Sequence, residues 1–265
     1  MKTFDATYTA ETLVRFLKTS FEAVGFQHTV IALSGGVDSS TSAALAVMAL
    51  GKNNVYPLLL PYGKLNGQGV ADARLVIQTL GVPEDNVTEK NIQPFVDPII
   101  ATDPSMDRLR RGNVMARVRM ILLYDSAKKY NALVVGTENK TEHLLGYFTR
   151  FGDEASDIEP LRNLYKTQVY ALARYLNLPE IILTKAPSAG LWGGQTDEGE
   201  FGFTYKEADE ILRMVVDEKK SMEEIVAMGI ERSVVEKVVK RMKDNAYKHH
   251  LPIVHEEKSG GERSS

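Results

Sequence analysis

Between His28 and Leu33 the chain runs His-Thr-Val-Ile-Ala-Leu. It then turns at once into Ser34-Gly35-Gly36-Val37-Asp38-Ser39-Ser40, and an alanine-rich stretch carries it to Gly51. This junction limits the possible folds more than any other part of the 265 residues. The first run is short, apolar and partly β-branched, which predicts a strand buried on both faces. Residues 39–50 read as a helix stopped by Gly51. A strand with two buried faces needs cover on both sides, and alternating helices of a parallel sheet supply it.

The rest of the first half repeats the alternation. Residues 9–24 form an amphipathic helix, with Leu13, Phe16, Leu17, Phe21 and Val24 at helical spacing. Residues 55–60 read as a second strand, weakened by Pro57. A helix over 69–80 ends at Gly81, and after a mixed segment a long helix is expected over 107–130. It leads into a strand at 132–135, closed by Gly136 and Thr137. The last third changes character, with helices predicted over 166–176, 205–216, 222–228 and 233–248. Between the first two of these lies 188–202, whose five glycines and three acids predict a long loop of the kind that serves as a lid. A shorter loop at 62–69 is a second candidate. The expected class is therefore α/β, a Rossmann-like parallel sheet flanked by helices, with a helical C-terminal part. One domain is expected over 1–255, and a disordered polar tail over 256–265.

Composition narrows the function. Net charge is −3, so no global basic field calls for nucleic acid, and Arg108, Arg110 and Arg111 read as a solvated helix face. The chain has no cysteine, which removes disulfides, zinc–thiolate sites, iron–sulfur clusters and cysteine nucleophiles. No apolar run is long enough for a bilayer and the first residues form no signal sequence, so no membrane role and a cytoplasmic location are expected.

The chemistry is concentrated in the turn after the first strand. Two glycines let backbone N–H groups approach an anion, the following helix adds its positive end, and Ser34, Ser39 and Ser40 add hydroxyls. The turn lacks the lysine of the common P-loop, and it is not the G-x-G-x-x-G dinucleotide fingerprint. Asp38 inside an anion cradle makes electrostatic sense when a cation lies between it and the phosphates. A nucleotide-holding module without turnover is the rival reading.

The Ser-Gly-Gly-Val-Asp-Ser sequence resembles the signature loop of the N-type ATP pyrophosphatases, whose fold is adenine nucleotide alpha-hydrolase-like and which transfer AMP rather than the terminal phosphate. Further motifs follow: Gly112-Asn113-Val114-Met115-Ala116-Arg117, Gly136-Thr137-Glu138-Asn139-Lys140-Thr141-Glu142, Gly146-Tyr147-Phe148-Thr149-Arg150-Phe151-Gly152-Asp153, Leu164-Tyr165-Lys166 and Pro187-Ser188-Ala189-Gly190. In this order the chain resembles the NAD synthetase family from about residue 10 to about residue 254. That resemblance implies ATP-dependent amidation of nicotinic acid adenine dinucleotide (deamido-NAD), giving NAD, AMP and pyrophosphate through an adenylate. It implies ATP binding by Ala32, Leu33, Ser34, Gly35, Gly36, Val37, Asp38, Ser39, Thr137, Lys166 and Ser188. Asp38 and Glu142 would share Mg²⁺, and with Lys166 they would form the catalytic set. Arg117, Arg150, Asp157, Tyr247 and Lys248 match substrate-binding positions. Two departures stand out: Arg150 replaces a lysine common in the family, and Tyr247 with Lys248 replaces a His-Lys pair. Glutamine-using relatives need a cysteine nucleophile, so free ammonia is the expected nitrogen donor. The family also implies a homodimer, with the long helix at 107–130 a plausible contributor.

Overall fold

The computed structural model describes residues 4–249 and 255, and the tail expected to be disordered lies outside them. In chain order the elements are α1 (Ala6–Val24), β1 (His28–Ala32), α2 (Val37–Leu50), β2 (Val55–Leu59), α3 (Gly67–Leu80), β3 (Thr88–Glu89), α4 (Gln93–Ala101), α5 (Arg108–Tyr130) and β4 (Ala132–Val134). They continue as α6 (Lys140–Leu145), α7 (Lys166–Tyr175), α8 (Glu180–Thr184), α9 (Asp197–Phe201), α10 (Tyr205–Leu212), α11 (Met222–Ala227) and α12 (Arg232–Asp244).

The strands form one parallel sheet of order β3-β2-β1-β4, with Thr29 opposite Val55 and His28 opposite Ala132. β1 is central, as a run buried on both faces requires: Val30 and Ile31 are both fully buried, one toward each face. Ile31 joins a cluster built with α1, α2, α3, α7 and α8. Val30 joins Leu58 and Val134 against α4 and α5 on the other side. Beyond β4, Val135 makes an isolated parallel bridge to Ile158, and Gly136 N–H donates to Ile158 O at 2.8 Å.

Pro57 is accommodated by register. Leu59 O accepts from Lys90 N at 2.9 Å, so Leu59, and Pro57 two residues before it, turn their peptide groups toward β3. Pairing with β3 begins only at Leu58, so the missing N–H of Pro57 faces a position without a strand partner.

A third apolar cluster belongs to the C-terminal helices, where Ile211 and Leu212 pack with Ile225, Val235 and Val238 under α6. The helices expected here are shorter than their patterns. The one expected over 205–216 keeps α-helical bonding to Leu212, and Arg213–Asp217 is a π turn. The one expected over 233–248 ends at Asp244, and a 3-10 turn covers Ala246–His249. The mixed segment before residue 107 holds the two-residue β3 and α4, whose Pro94 and Pro98 mask its helical pattern. The stretch 188–202 is not all loop, because its acidic end forms α9. That helix also carries Phe201, which is 7% exposed and belongs to the C-terminal core.

Candidate active site

Leu33 N still bonds Leu58 O at 2.9 Å, and the chain then leaves the carboxyl edge of the sheet. Gly35 has φ +75°, and a Cβ there would lie 2.3 Å from Gly69 O, so only glycine fits against α3. Ser34 and Ser39 hydroxyls lie 3.0 Å apart, and Ser34 N and Gly36 N donate to Ser39 Oγ and Ser34 Oγ. Ser40 Oγ returns to Gly36 O at 2.7 Å. The loop thus holds its own shape through short-range bonds. Gly36 caps α2 without a side-chain bond, which leaves the positive end of that helix facing the cradle. Ser42 Oγ donates to Gly136 O at 2.9 Å and binds the loop after β4 to α2, so the half-buried Thr137 comes in beside the cradle.

Asp38, Glu142 and Lys166 come from α2, α6 and the first residue of α7, and the fold brings them together. Lys166 Nζ lies 2.5 Å from Asp38 Oδ2 and 2.9 Å from Glu142 Oε1, and its side chain is 3% exposed. Burial disfavours its ammonium, but Asp38 and then Glu142 outweigh that and hold it protonated. Glu142 is pushed above the usual carboxylate range, first by burial and then by Asp38. One lysine therefore faces two acids, and the trio retains an affinity for further positive charge. Among the described residues no three or more acidic, His or Cys side chains gather to cage a metal. Two converging carboxylate oxygens suit Mg²⁺, which completes its shell with substrate phosphates and water. The lysine ammonium is the observed cation at that point.

Sequence reasoning did not single out the residues that hold this trio. Asn139 is fully buried, caps α6 by accepting from Glu142 N at 2.9 Å, and donates from Nδ2 to Asp38 Oδ1 at 2.8 Å. The readable signal was Asn139-x-x-Glu142, a capping box. Asp209 on α10 accepts from Thr141 Oγ1 and Thr167 N at 2.5 and 2.8 Å, while Lys166 N donates to Thr141 Oγ1 at 2.9 Å. The helical part thereby fixes where α7, and so Lys166, begins. The Tyr205 ring lies 4.8 Å from Lys166 Nζ.

The candidate lid is fastened chiefly at Asp197. Asp197, 3% exposed, accepts from Tyr147 OH and Tyr205 OH at 2.9 Å each and from Ala189 N at 3.1 Å. Glu198 accepts from Tyr205 N and Glu200 from Gln195 Nε2. These three acids therefore anchor the segment. Ser188 is exposed and its hydroxyl accepts from Gly190 N at 3.1 Å.

The residues matched to substrate binding divide into two kinds. Exposed Arg117 donates to Arg150 O at 3.1 Å, so both arginines share one face, where Asn113 and Thr149 also bond at 2.8 Å. Arg150 stacks over Phe151. Asp157 and Lys248 have structural partners. Asp157 Oδ2 accepts from Val134 N at 2.7 Å, and Lys248 Nζ donates to Gly146 O and Phe148 O at 2.7 and 3.0 Å. Burial lowers the Lys248 pKa. Tyr247 is 63% exposed and stands clear of these contacts.

Behind Thr137 lies a second buried charge cluster. Glu138 is pushed up to about 8 by burial against the pull of Arg162, whose Nη2 lies 2.7 Å from Glu138 Oε2. Burial and Arg162 lower His143 to about 4, and the Arg162 guanidinium lies 3.0 Å from its Nδ1.

A family model described as NAD synthase matches residues 9–252. The NH(3)-dependent NAD(+) synthetase of Fusobacterium nucleatum is 43% identical over 242 residues, covering 91% of this chain and 93% of that protein. Among solved structures, an NMN synthetase from Francisella tularensis superposes with a TM-score of 0.84 at 37% identity, covering 95% of this chain and 99% of the other. The NH3-dependent NAD synthetase of Campylobacter jejuni, solved with nitrate, gives 0.80 at 33% identity, with 95% and 100% covered.

Proposed function

The chain belongs to the NAD synthase family, and from that premise we propose that it makes NAD by amidating deamido-NAD with ammonia at the expense of ATP. The carrying observation is the Lys166 ammonium held between Asp38 and Glu142 beside the Ser34 to Ser39 cradle. The cradle would receive pyrophosphate, because the uncapped positive end of α2 lies there beside the Ser34 and Ser39 hydroxyls. Lys166 shifts its charge from the carboxylates to the ATP phosphates, and Thr137 and Ser188 contact the nucleotide. Asp38 and Glu142 would hold Mg²⁺, which would offset phosphate charge so that an anionic carboxylate can approach the α-phosphorus. The nicotinate carboxylate attacks in line, pyrophosphate leaves into the cradle, and a nicotinyl adenylate forms. Ammonia then displaces AMP. Water competes at that step, and the segment closed by Asp197 excludes it.

Arg117 and Arg150 present guanidinium groups suited to the phosphates of the dinucleotide. Asp157, Tyr247 and Lys248 complete the substrate side in this reading. The chain works as a homodimer in the cytoplasm, with α5 contributing its exposed Leu109 and Ile121 to the contact. Sedimentation of the purified protein tests the dimer. No described helix is long and apolar enough to cross a membrane.

The decisive assay supplies ATP, Mg²⁺, ammonium and deamido-NAD and follows NAD and AMP together. Equal yields, with glutamine unable to replace ammonium, support the proposal. AMP without NAD under all conditions, or no AMP, removes it. A second acceptor belongs in the same assay, because the Francisella structure is named for NMN and Arg150 and Tyr247 depart from the family pattern. Amidation of nicotinic acid mononucleotide in preference to the dinucleotide would reassign the substrate while keeping the chemistry.

A further inference from the structure

Asp38 and Glu142 sit on different helices and are joined by one side chain. The Asn139 amide donates from Nδ2 to Asp38 Oδ1 at 2.8 Å and accepts at Oδ1 from Glu142 N at 2.9 Å. Those two bonds also fix which way the amide faces, since only nitrogen can donate to a carboxylate and only oxygen can accept from a peptide N–H. The Asn139 backbone N–H lies 3.4 Å from Glu142 Oε2 and takes that oxygen. One oxygen of each carboxylate is thereby occupied. The other two, Asp38 Oδ2 and Glu142 Oε1, converge on a single cation at 2.5 and 2.9 Å.

Capping alone does not account for asparagine here. Serine, threonine or aspartate would cap α6 about as well. None of them combines an acceptor for Glu142 N with an N–H donor that reaches Asp38. The side chain is also fully buried, so no water replaces either bond if it is lost.

We propose that Asn139 is a positioning residue that turns one oxygen of Asp38 and one of Glu142 toward the same point, and so sets the geometry of the divalent cation site. The proposal rests on the reading of Asp38 and Glu142 as metal ligands. Asn139 touches neither phosphate nor acceptor; it acts through the two carboxylates. Its loss therefore weakens metal binding at once and the reaction only as a consequence.

The test uses Mn²⁺ as probe, with its affinity measured by electron paramagnetic resonance in the presence of a non-hydrolysable ATP analogue. Melting temperatures are recorded on the same samples. Asn139→Ser keeps a good cap but is too short to reach Asp38, whereas Asn139→Ala loses both bonds. Expected is a loss of Mn²⁺ affinity of tenfold or more in both variants, with the larger drop in Tm for alanine, which also loses the cap. Serine matching the wild type in Mn²⁺ affinity would leave Asn139 as a helix cap and overturn the proposal. Asp38→Asn separates the two levels of inference. If that variant binds Mn²⁺ as the wild type does, the metal reading itself fails and the proposal falls with it. If it loses Mn²⁺ while Asn139→Ser does not, only the positioning role fails.

Discussion

The cradle after β1 and the segment 188–202 are both rich in glycine, yet they are held in opposite ways. The cradle is fixed by neighbours in sequence: Ser34, Gly36, Ser39 and Ser40 bond one another, and Gly35 is pressed against α3. Its shape is therefore set within the loop itself. The later segment is fixed by distant groups. Asp197 collects two tyrosine hydroxyls, one from the loop after α6 and one from α10, and Phe201 sits in the C-terminal core. Two of its five glycines meet nothing: a Cβ at Gly193 or Gly194 would find open space. In the proposed reaction, a rigid loop suits a highly charged product, and a closure that must reopen suits a few breakable bonds.

The largest effect is expected at the one charge that holds Asp38, beside the cradle, to Glu142. Lys166→Met should lower kcat by about 10²- to 10³-fold, the loss typical of a single stabilising group at a developing charge. It should also lower stability, because two buried carboxylates are left facing each other. Steady-state kinetics and urea unfolding measure both; a variant within threefold of wild-type kcat would take Lys166 out of the chemistry.

Gly35→Ala attacks the rigid region alone. The positive φ and the 2.3 Å approach to Gly69 O should cost about 2 kcal/mol or more of stability and weaken binding of a non-hydrolysable ATP analogue. Unchanged affinity would show that the cradle tolerates reshaping.

Asp197→Ala attacks the closure alone. The buried Tyr205 hydroxyl and the half-buried Tyr147 hydroxyl lose their acceptor, at about 1–3 kcal/mol. AMP should then exceed NAD in the products as water intercepts the adenylate, with affinity for the ATP analogue nearly unchanged. A ratio held at unity would exclude 188–202 as the water barrier.

The smallest effect concerns the charge cluster behind Thr137. Burial raises Glu138 from the usual 4.5 to about 8, so the folded state holds a proton that the unfolded chain releases. Its contribution is full below about 4.5 and is lost as pH rises through about 8. His143, lowered to about 4, acts in the opposite sense, its contribution being lost as pH falls from about 6.5 through about 4. Between pH 6.5 and 8.5 the wild-type Tm should therefore fall. Glu138→Gln should reduce that slope, and Glu142 and Glu159, both raised by burial, would leave a residual one. An unchanged slope in differential scanning calorimetry would assign it elsewhere.

Local chemistry made part of this molecule legible in the sequence. The central strand, the Gly-Gly turn and the helix after it are neighbours in the chain, so periodicity and turn composition predict them together. Asp38 inside the turn points to a cation for the same reason. Motif order brought in Glu142 and Lys166, and the structure gathers all three around one nitrogen. Elements whose burial comes from remote partners were harder to read. α9 lies in a glycine-rich stretch with little helical pattern, and it is held by Tyr147, Tyr205 and the C-terminal core. α4 was hidden by two prolines, one at its first turn and one within it.

By itself the sequence determined an α/β chain with a Gly-Gly turn between its central strand and the next helix, because those features need only bonds between near neighbours. Tertiary structure alone decided that Asn139 reaches Asp38, that Asp209 sets the start of α7, and that Asp157 and Lys248 anchor backbone. Each of these is a hydrogen bond between groups far apart in the chain. Its existence depends on angle and distance, which only the packed fold supplies.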